Sequence, residues 1–358
     1  MQFVVALAFL SLAVALPLAG AYLTGKPIDG HLQFPPAVTP VGANAFSWAV
    51  FVPLATAVFA VFGWIAWRVA RASSGRLNRK TVSFPWWGWV GVVVTIGAWV
   101  LAWNRLDWFA PWQTLTFTPL WVGYIVVINA LTLRRTGHCM LRDRPAWLIS
   151  LLIASVPFWW YFEYLNSYVG NWRYSGSSEL SRWEYFLQAS LPFATVLPAV
   201  LGTRDWLASF PRIQAAFTGL PPIRLRYPST AAVVWLVIAS CSLFALGIWP
   251  QFLYPLVWVA PVVVLASLQG LAGRPNLFSE LKTGDWRALA IPALAALVCG
   301  VLWEMWNFYS LTRWEYSVPL VDRFSLFEMP LLGYAGYLPF GLACAAVGDV
   351  VFQMRGKP

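Results

Sequence analysis

The chain has 358 residues, 59% of them hydrophobic and 11% charged, with a net charge of +10. Soluble domains carry about 25% charged residues, so this composition cannot coat a water-soluble globule of such length, and the remaining solvent is lipid. The basic excess falls in short clusters between apolar runs instead of forming a stripe on one domain; this excludes nucleic acid as a partner and matches the pattern that orients membrane proteins.

A membrane span needs about 20 mostly apolar residues, and the chain offers ten such runs. The first, residues 2–22, has the length of a signal peptide and a small-residue exit at Ala19-Gly20-Ala21, but no basic n-region; it reads as an uncleaved span. A Gly- and Pro-rich external loop, residues 24–45, leads to a second span at 46–69. That span closes on Arg68, Arg71, Arg76, Arg79 and Lys80, a cytoplasmic marker. Spans at 86–103 and 115–133 end in Arg134, Arg135, Arg142 and Arg144. The fifth, 146–165, is followed by a polar, aromatic external loop at 166–183. The sixth, 185–202, is followed by Arg204, Arg212, Arg224 and Arg226. Spans at 230–248 and 252–271 are joined by a short turn, and Arg274, Lys282 and Arg287 come next. The ninth, 288–306, leaves through an external loop, and the tenth, 329–352, ends in Arg355 and Lys357. This assignment puts 18 of the 24 Lys and Arg on one side, as the positive-inside rule requires, and predicts an inner (plasma) membrane protein with both termini cytoplasmic.

A module of about 140 residues recurs. Glu163 and Asn166 match Glu304 and Asn307, Trp172-x-Tyr174 matches Trp314-x-Tyr316, and Leu197-Pro198 matches Leu338-Pro339, in the same order and at the same points of a four-span unit. With 24 Trp and 26 Pro, stray matches are common, but preserved order is not. Each unit has an even number of spans, so the copies run in the same direction. The predicted fold is an all-α, polytopic helical bundle: two N-terminal spans with a basic linker (residues 1–80), repeat module one (81–222) and repeat module two (223–358).

Ionisable groups inside a span cost about 2.5 kcal/mol or more, which marks them as functional candidates. Glu163 and Glu304 lead. Each sits near the outer end of a helix with an Asn three residues on, on the same face. The negative helix end and the aromatic surroundings both favour the protonated acid unless a cation intervenes, and Arg173 and Arg313 are the candidate cations. The plainer reading is that each Glu bonds a loop amide or its own Asn and fixes the helix exit. Glu328 precedes Met329-Pro330 at the expected start of the tenth span, where an acid favours the helix N-terminus. If it approaches Glu304, the second module holds a carboxylate pair suited to acid–base work. Asp349 reads as an interface residue. The aromatic run 158–164 exceeds a membrane belt and is suited to lining an apolar cavity, although core packing explains it as well. Gly333, Tyr334, Gly336 and Gly341 with Pro339 mark a helix that packs closely and kinks.

Two histidines and four cysteines without a CxxC pair argue against haem or metal, and no phosphate-binding loop is present, so no cofactor is expected. Three functions follow. One is a carrier or binding protein for an apolar or amphipathic compound at an outer-leaflet site, with Glu163, Asn166, Glu304, Asn307, Trp303 and Tyr334 binding and membrane lipid as partner. Another is a metal-free intramembrane enzyme using Glu304 and Glu328 on an isoprenoid- or carotenoid-like lipid. The last is a structural or assembly subunit.

Overall fold

The computed structural model describes residues 2–36, 38, 46–73, 82–176 and 180–354. Among them, nine helices are long and apolar enough to cross a membrane, and the chain is a helical membrane bundle. In chain order the main helices are α1 (Gln2–Leu23), α2 (Trp48–Arg71), α3 (Trp86–Trp103), α4 (Phe117–Thr136), α5 (Pro145–Val169), α6 (Arg182–Phe193), α7 (Val196–Ala208), α8 (Pro228–Ile248), α9 (Leu256–Leu271), α10 (Arg287–Phe308) and α11 (Tyr337–Met354). Of these, α6, α7 and α9 are shorter, at 12, 13 and 16 residues, and α6 and α7 together, Arg182–Ala208, count as one of the nine.

The bundle has two chemically distinct ends. At one, Arg68 donates to the carbonyls of Ala216 and Thr218, Arg135 caps Ser209, Arg144 pairs with Asp205 and Arg287 reaches Gln214. The basic clusters expected on one side therefore converge there; Arg76, Arg79, Lys80, Arg355 and Lys357 lie outside the described residues. At the other end lie Lys26, Arg105, Arg173, Arg182, Arg313 and Arg323. Here Arg182 bonds Gln33 and Arg105 bonds the carbonyl of Tyr309.

Helix ends follow local chemistry. Gly137 closes α4 and Gly170 closes α5, both with positive φ and with N–H groups returned to Leu133 and Asn166. Helices α1 and α8 cross where Gly20 and Gly247 meet: a Cβ on Gly20 would lie 2.0 Å from the Phe244 carbonyl oxygen, and one on Gly247 2.1 Å from that of Pro17. Small residues let two backbones touch in lipid, where no hydrophobic force drives helices together.

Two expectations from the sequence are corrected. The sixth apolar run is not one helix but α6 and α7, broken at Ala194 and Thr195. Pro198 has no N–H to return to the Ala194 carbonyl, and the broken backbone is served by Ser155 of α5, whose Oγ donates to the Phe193 carbonyl (2.6 Å) and accepts from Leu197 N–H (3.0 Å). Irregular backbone at membrane depth persists only when served in this way. The last helix begins at Tyr337, not near residue 329. Met329 and Pro330 form a strand, and residues Leu331–Gly336 a 3₁₀ turn. Pro339 consequently sits in the first turn of α11, where its missing N–H has no intrahelical partner to lose, and no kink results.

The loops between helices are less irregular than expected. Strand β1 (Trp172–Ser175), after α5, pairs antiparallel with β2 (Arg313–Tyr316), after α10. A second ribbon joins β3 (Ser325–Leu326) to β4 (Met329–Pro330). The β1–β2 sheet ties two distant helix ends together and roofs one end of the bundle.

Candidate functional site: two carboxylates behind an aromatic cavity

Both Asn residues hold strands. Asn166 Nδ2 donates to the Trp172 carbonyl (2.7 Å), and its Oδ1 accepts from the N–H groups of Asn171 (2.9 Å) and Trp172 (3.3 Å). Asn307 does the same for β2: Nδ2 to the Trp314 carbonyl (2.7 Å) and Oδ1 from Trp314 N–H (2.9 Å). Both are fully buried. Each amide replaces the helix partner that the last carbonyls and the first strand N–H lack. The plainer expectation gave the helix exit to each Glu, through a loop amide or its own Asn; here the Asn fixes it.

The fixed strands aim their aromatic side chains at the carboxylates. Glu163, 2% exposed, accepts at Oε1 from Trp159 Nε1 (2.9 Å), Trp172 Nε1 (3.0 Å) and Tyr174 OH (2.7 Å). Glu304, 0% exposed, accepts at Oε1 from Tyr316 OH (2.8 Å) and Tyr337 OH (2.6 Å), while Trp314 Nε1 donates to Tyr316 OH (2.8 Å). Glu304 Oε2 is buried with no partner. Among the described residues neither acid bonds a loop amide or its own Asn, and no cation pairs with either one; Arg173 and Arg313 both pair with Glu315, at 3.1 and 3.3 Å. Burial, with the adjacent carboxyl adding to it, pushes the phenols of Tyr174 and Tyr316 far above their usual range, so both remain donors at any physiological pH.

The two sets differ in one reciprocal way. Where the Glu163 set has Trp159 one turn before the acid, the Glu304 set has Gly300. A Cβ there would lie 2.4 Å from the Tyr337 ring. Tyr337 fills that space and supplies the donor that Trp159 supplies on the other side.

All six aromatic residues line one cavity of about 400 Å³, within the roughly 300–1,000 Å³ range of small-molecule sites. Trp258, Trp303 and Phe340 also line it, as do Leu54 and Val58 of α2 and Val259 of α9. None of the described lining residues is charged. The run 158–164 is divided between uses: Trp159 lines the cavity, while Phe162 packs in the core against Trp258 and Phe340.

Of the residues singled out in the sequence, Glu163, Glu304, Asn166, Asn307 and Trp303 gather around this cavity. Tyr334 does not: its hydroxyl donates to the Leu326 carbonyl (3.0 Å) and it braces the β3–β4 ribbon. Glu328 is not at a helix start; it occupies the turn between β3 and β4, half-buried, and among the described residues it makes no hydrogen bond or ion pair. Glu304 and Glu328 lie near enough for their charges to act on each other, but they are not hydrogen-bonded. Tyr174, Tyr316, Tyr337, Trp159 and Trp172 were overlooked as site residues, since belt position accounts for aromatics at a membrane boundary. The signal was present in Trp172-x-Tyr174 and Trp314-x-Tyr316, which follow the two acids at almost equal distances. Among the described residues no cluster of His, Cys, Asp and Glu is able to hold a metal ion. Comparison with protein-family models, curated proteins and solved structures gives no match, so the reading of this site rests on its own chemistry.

Proposed function

We propose that the chain binds and carries an apolar or amphipathic compound within the membrane, in the cavity flanked by Glu163 and Glu304. The observation that carries this reading is the cavity wall: the donors that hold both buried acids are also the surface a ligand would touch. A ligand that moves those rings changes the hydrogen bonding, and so the protonation, of two carboxyls in low dielectric.

The frame for this reading is ten spans, with two parallel four-span modules after two N-terminal spans and with the cavity at the outer leaflet of a cytoplasmic membrane. The register of the β1–β2 sheet supports the duplication. Trp172 pairs with Tyr316 and Tyr174 with Trp314, so exchanging the modules maps each pair onto the other. The grouping of basic residues at the opposite end supports the orientation.

An enzyme working through Glu304 and Glu328 draws less support, because Glu328 lies in a ribbon turn and is not bonded to the acid it was to assist.

The test is extraction of the full chain in mild detergent and mass spectrometry of what accompanies it. An apolar compound in near-stoichiometric amount is expected, and Val196→Trp, which fills the cavity from its wall, should remove it without lowering the thermal midpoint. No compound above the level of a control membrane protein, or retention unchanged in Val196→Trp, would overturn the proposal. Glu163→Gln and Glu304→Gln should both slow transfer of the compound between vesicles.

A further inference from the structure

Several donors on the cavity wall have no acceptor among the described residues, among them Tyr185 OH, Tyr254 OH, Trp258 Nε1 and Trp303 Nε1. An indole N–H donates and cannot accept, so Trp258 and Trp303 call for an acceptor from a ligand or from water. Trp303 is a buried residue, yet its nitrogen is not sealed in the core like those of Trp121 and Trp306. One unpaired acceptor, Asn171 Oδ1, is buried at the same wall. No described lining residue is cationic, so an anionic head finds no counter-ion at this wall, and the unpaired N–H and O–H donors oppose a cationic one. The wall is aromatic and held in place by its own stacking: Trp258 stacks on Phe162 and on Trp172, with ring planes within about 25° of parallel.

One wall of the cavity belongs to a loosely held helix. Helix α2 is held at one end by Phe51 and Ala55 against Val318, Val321 and Leu332, and at the other by Trp64 and Arg68 at Phe217 and Ala216. Between these anchors it stands away from the bundle: Phe59 and Val61, on opposite faces, are 60% and 45% exposed. Leu54 and Val58, at the anchored end next to that stretch, line the cavity. In a bilayer the space behind α2 is reached by lipid chains.

Together these features point to one ligand class: the geometry points to a neutral, planar compound bearing ring carbonyl oxygens and an apolar tail. Its head is held by the N–H and O–H groups of Trp303, Trp258 and Tyr185, and its tail leaves beside α2. This assignment rests on the binding function proposed above and adds to it the hydrogen-bonding character of the head and the route of the tail.

The experiment is native mass spectrometry of the detergent-purified full chain, titrated with a decyl-substituted benzoquinone or with decylbenzene, which has the same tail and no carbonyl. The quinone should bind about tenfold more tightly. Tyr185→Phe and Trp303→Phe should each weaken quinone binding about three- to tenfold and leave decylbenzene unchanged. Tyr185→Phe removes only a hydroxyl, so its result stands even if Trp303→Phe perturbs the core. Equal affinity for both probes, or equal loss of both in the variants, overturns the carbonyl assignment while leaving an apolar binding site. Binding of neither probe overturns the binding function as well.

Discussion

Arg173 faces Glu315 directly across the β1–β2 sheet, with its Nη2 3.1 Å from Oε2. These are also the corresponding residues of the two repeated Trp-x-Tyr segments, so the pair sits where an exchange of the segments leaves it in place. Identical charges there would oppose each other; an Arg and a Glu attract. The hydrogen bond from Arg173, with Arg313 alongside, holds the Glu315 carboxyl below its usual range. A group whose folded pKa is depressed contributes stability above its unfolded value, about 4.3, and loses that contribution as pH falls through the folded one. The Glu315 carboxyl, followed by ¹³C NMR, should titrate below about 4.3 and move up toward the ordinary range in Arg173→Gln, with Arg313 still holding part of the shift. Arg173→Glu should loosen the sheet by no more than about 1 kcal/mol, since the pair is largely exposed; restoration by the charge-swapped double variant would identify the pair interaction.

Asn166 and Asn307 join helix end to strand with buried side-chain bonds. Asn166→Ala leaves the Trp172 carbonyl and the N–H groups of Asn171 and Trp172 without their partner, and Asn307→Ala strands both backbone groups of Trp314. Each should cost about 1–3 kcal/mol, and more at 166, where more groups are orphaned. Thermal midpoints in one detergent compare the two; no change in either would mean that water serves these groups.

Removing either acid takes the shared acceptor from two donors. Glu163→Leu orphans Trp172 Nε1 and Tyr174 OH and leaves Trp159 Nε1 only its longer bond to Tyr174 OH (3.4 Å), whereas Glu304→Leu orphans the phenols of Tyr316 and Tyr337 and also removes an oxygen that already lacks a partner. Each should cost about 1–3 kcal/mol for each donor left unsatisfied. Unchanged stability in chemical unfolding of either variant would contradict the hydrogen-bond inventory.

Gly300 and Tyr337 are coupled through space. Gly300→Ala places a methyl 2.4 Å from the Tyr337 ring, so one of them must shift. In a Tyr337→Val background, the residue type at the corresponding point of α7, the same methyl has room. A double-mutant cycle should return an interaction energy of about 1–3 kcal/mol, and additive effects would show that the ring is not confined. Tyr337→Phe, which keeps the ring and drops the hydroxyl, separates packing from donation to Glu304.

Membrane class, helix placement and the sorting of basic clusters are readable in the chain because each depends on runs of adjacent residues: apolar length, Gly stops and Arg-rich ends. The near-equal spacing of Glu163 and Asn166 from Trp172-x-Tyr174, repeated at Glu304, Asn307 and Trp314-x-Tyr316, is also written in one dimension. What carries no local mark depends on contacts between distant segments. The break at Ala194 and Thr195 is prepared by Pro198, but its stability comes from Ser155, some forty residues earlier. Met329 and Pro330 pair as a strand although their apolar setting suggests a helix, which removes Glu328 from the helix start where dipole arguments place it. Only packing shows that Tyr337 enters the space left by Gly300 to reach Glu304, that Arg173 and Arg313 are taken by Glu315, and that two helix ends share one cavity. Backbone hydrogen bonds and lipid exposure select elements residue by residue, whereas a buried carboxyl takes whichever donors the folded chain brings within about 3 Å.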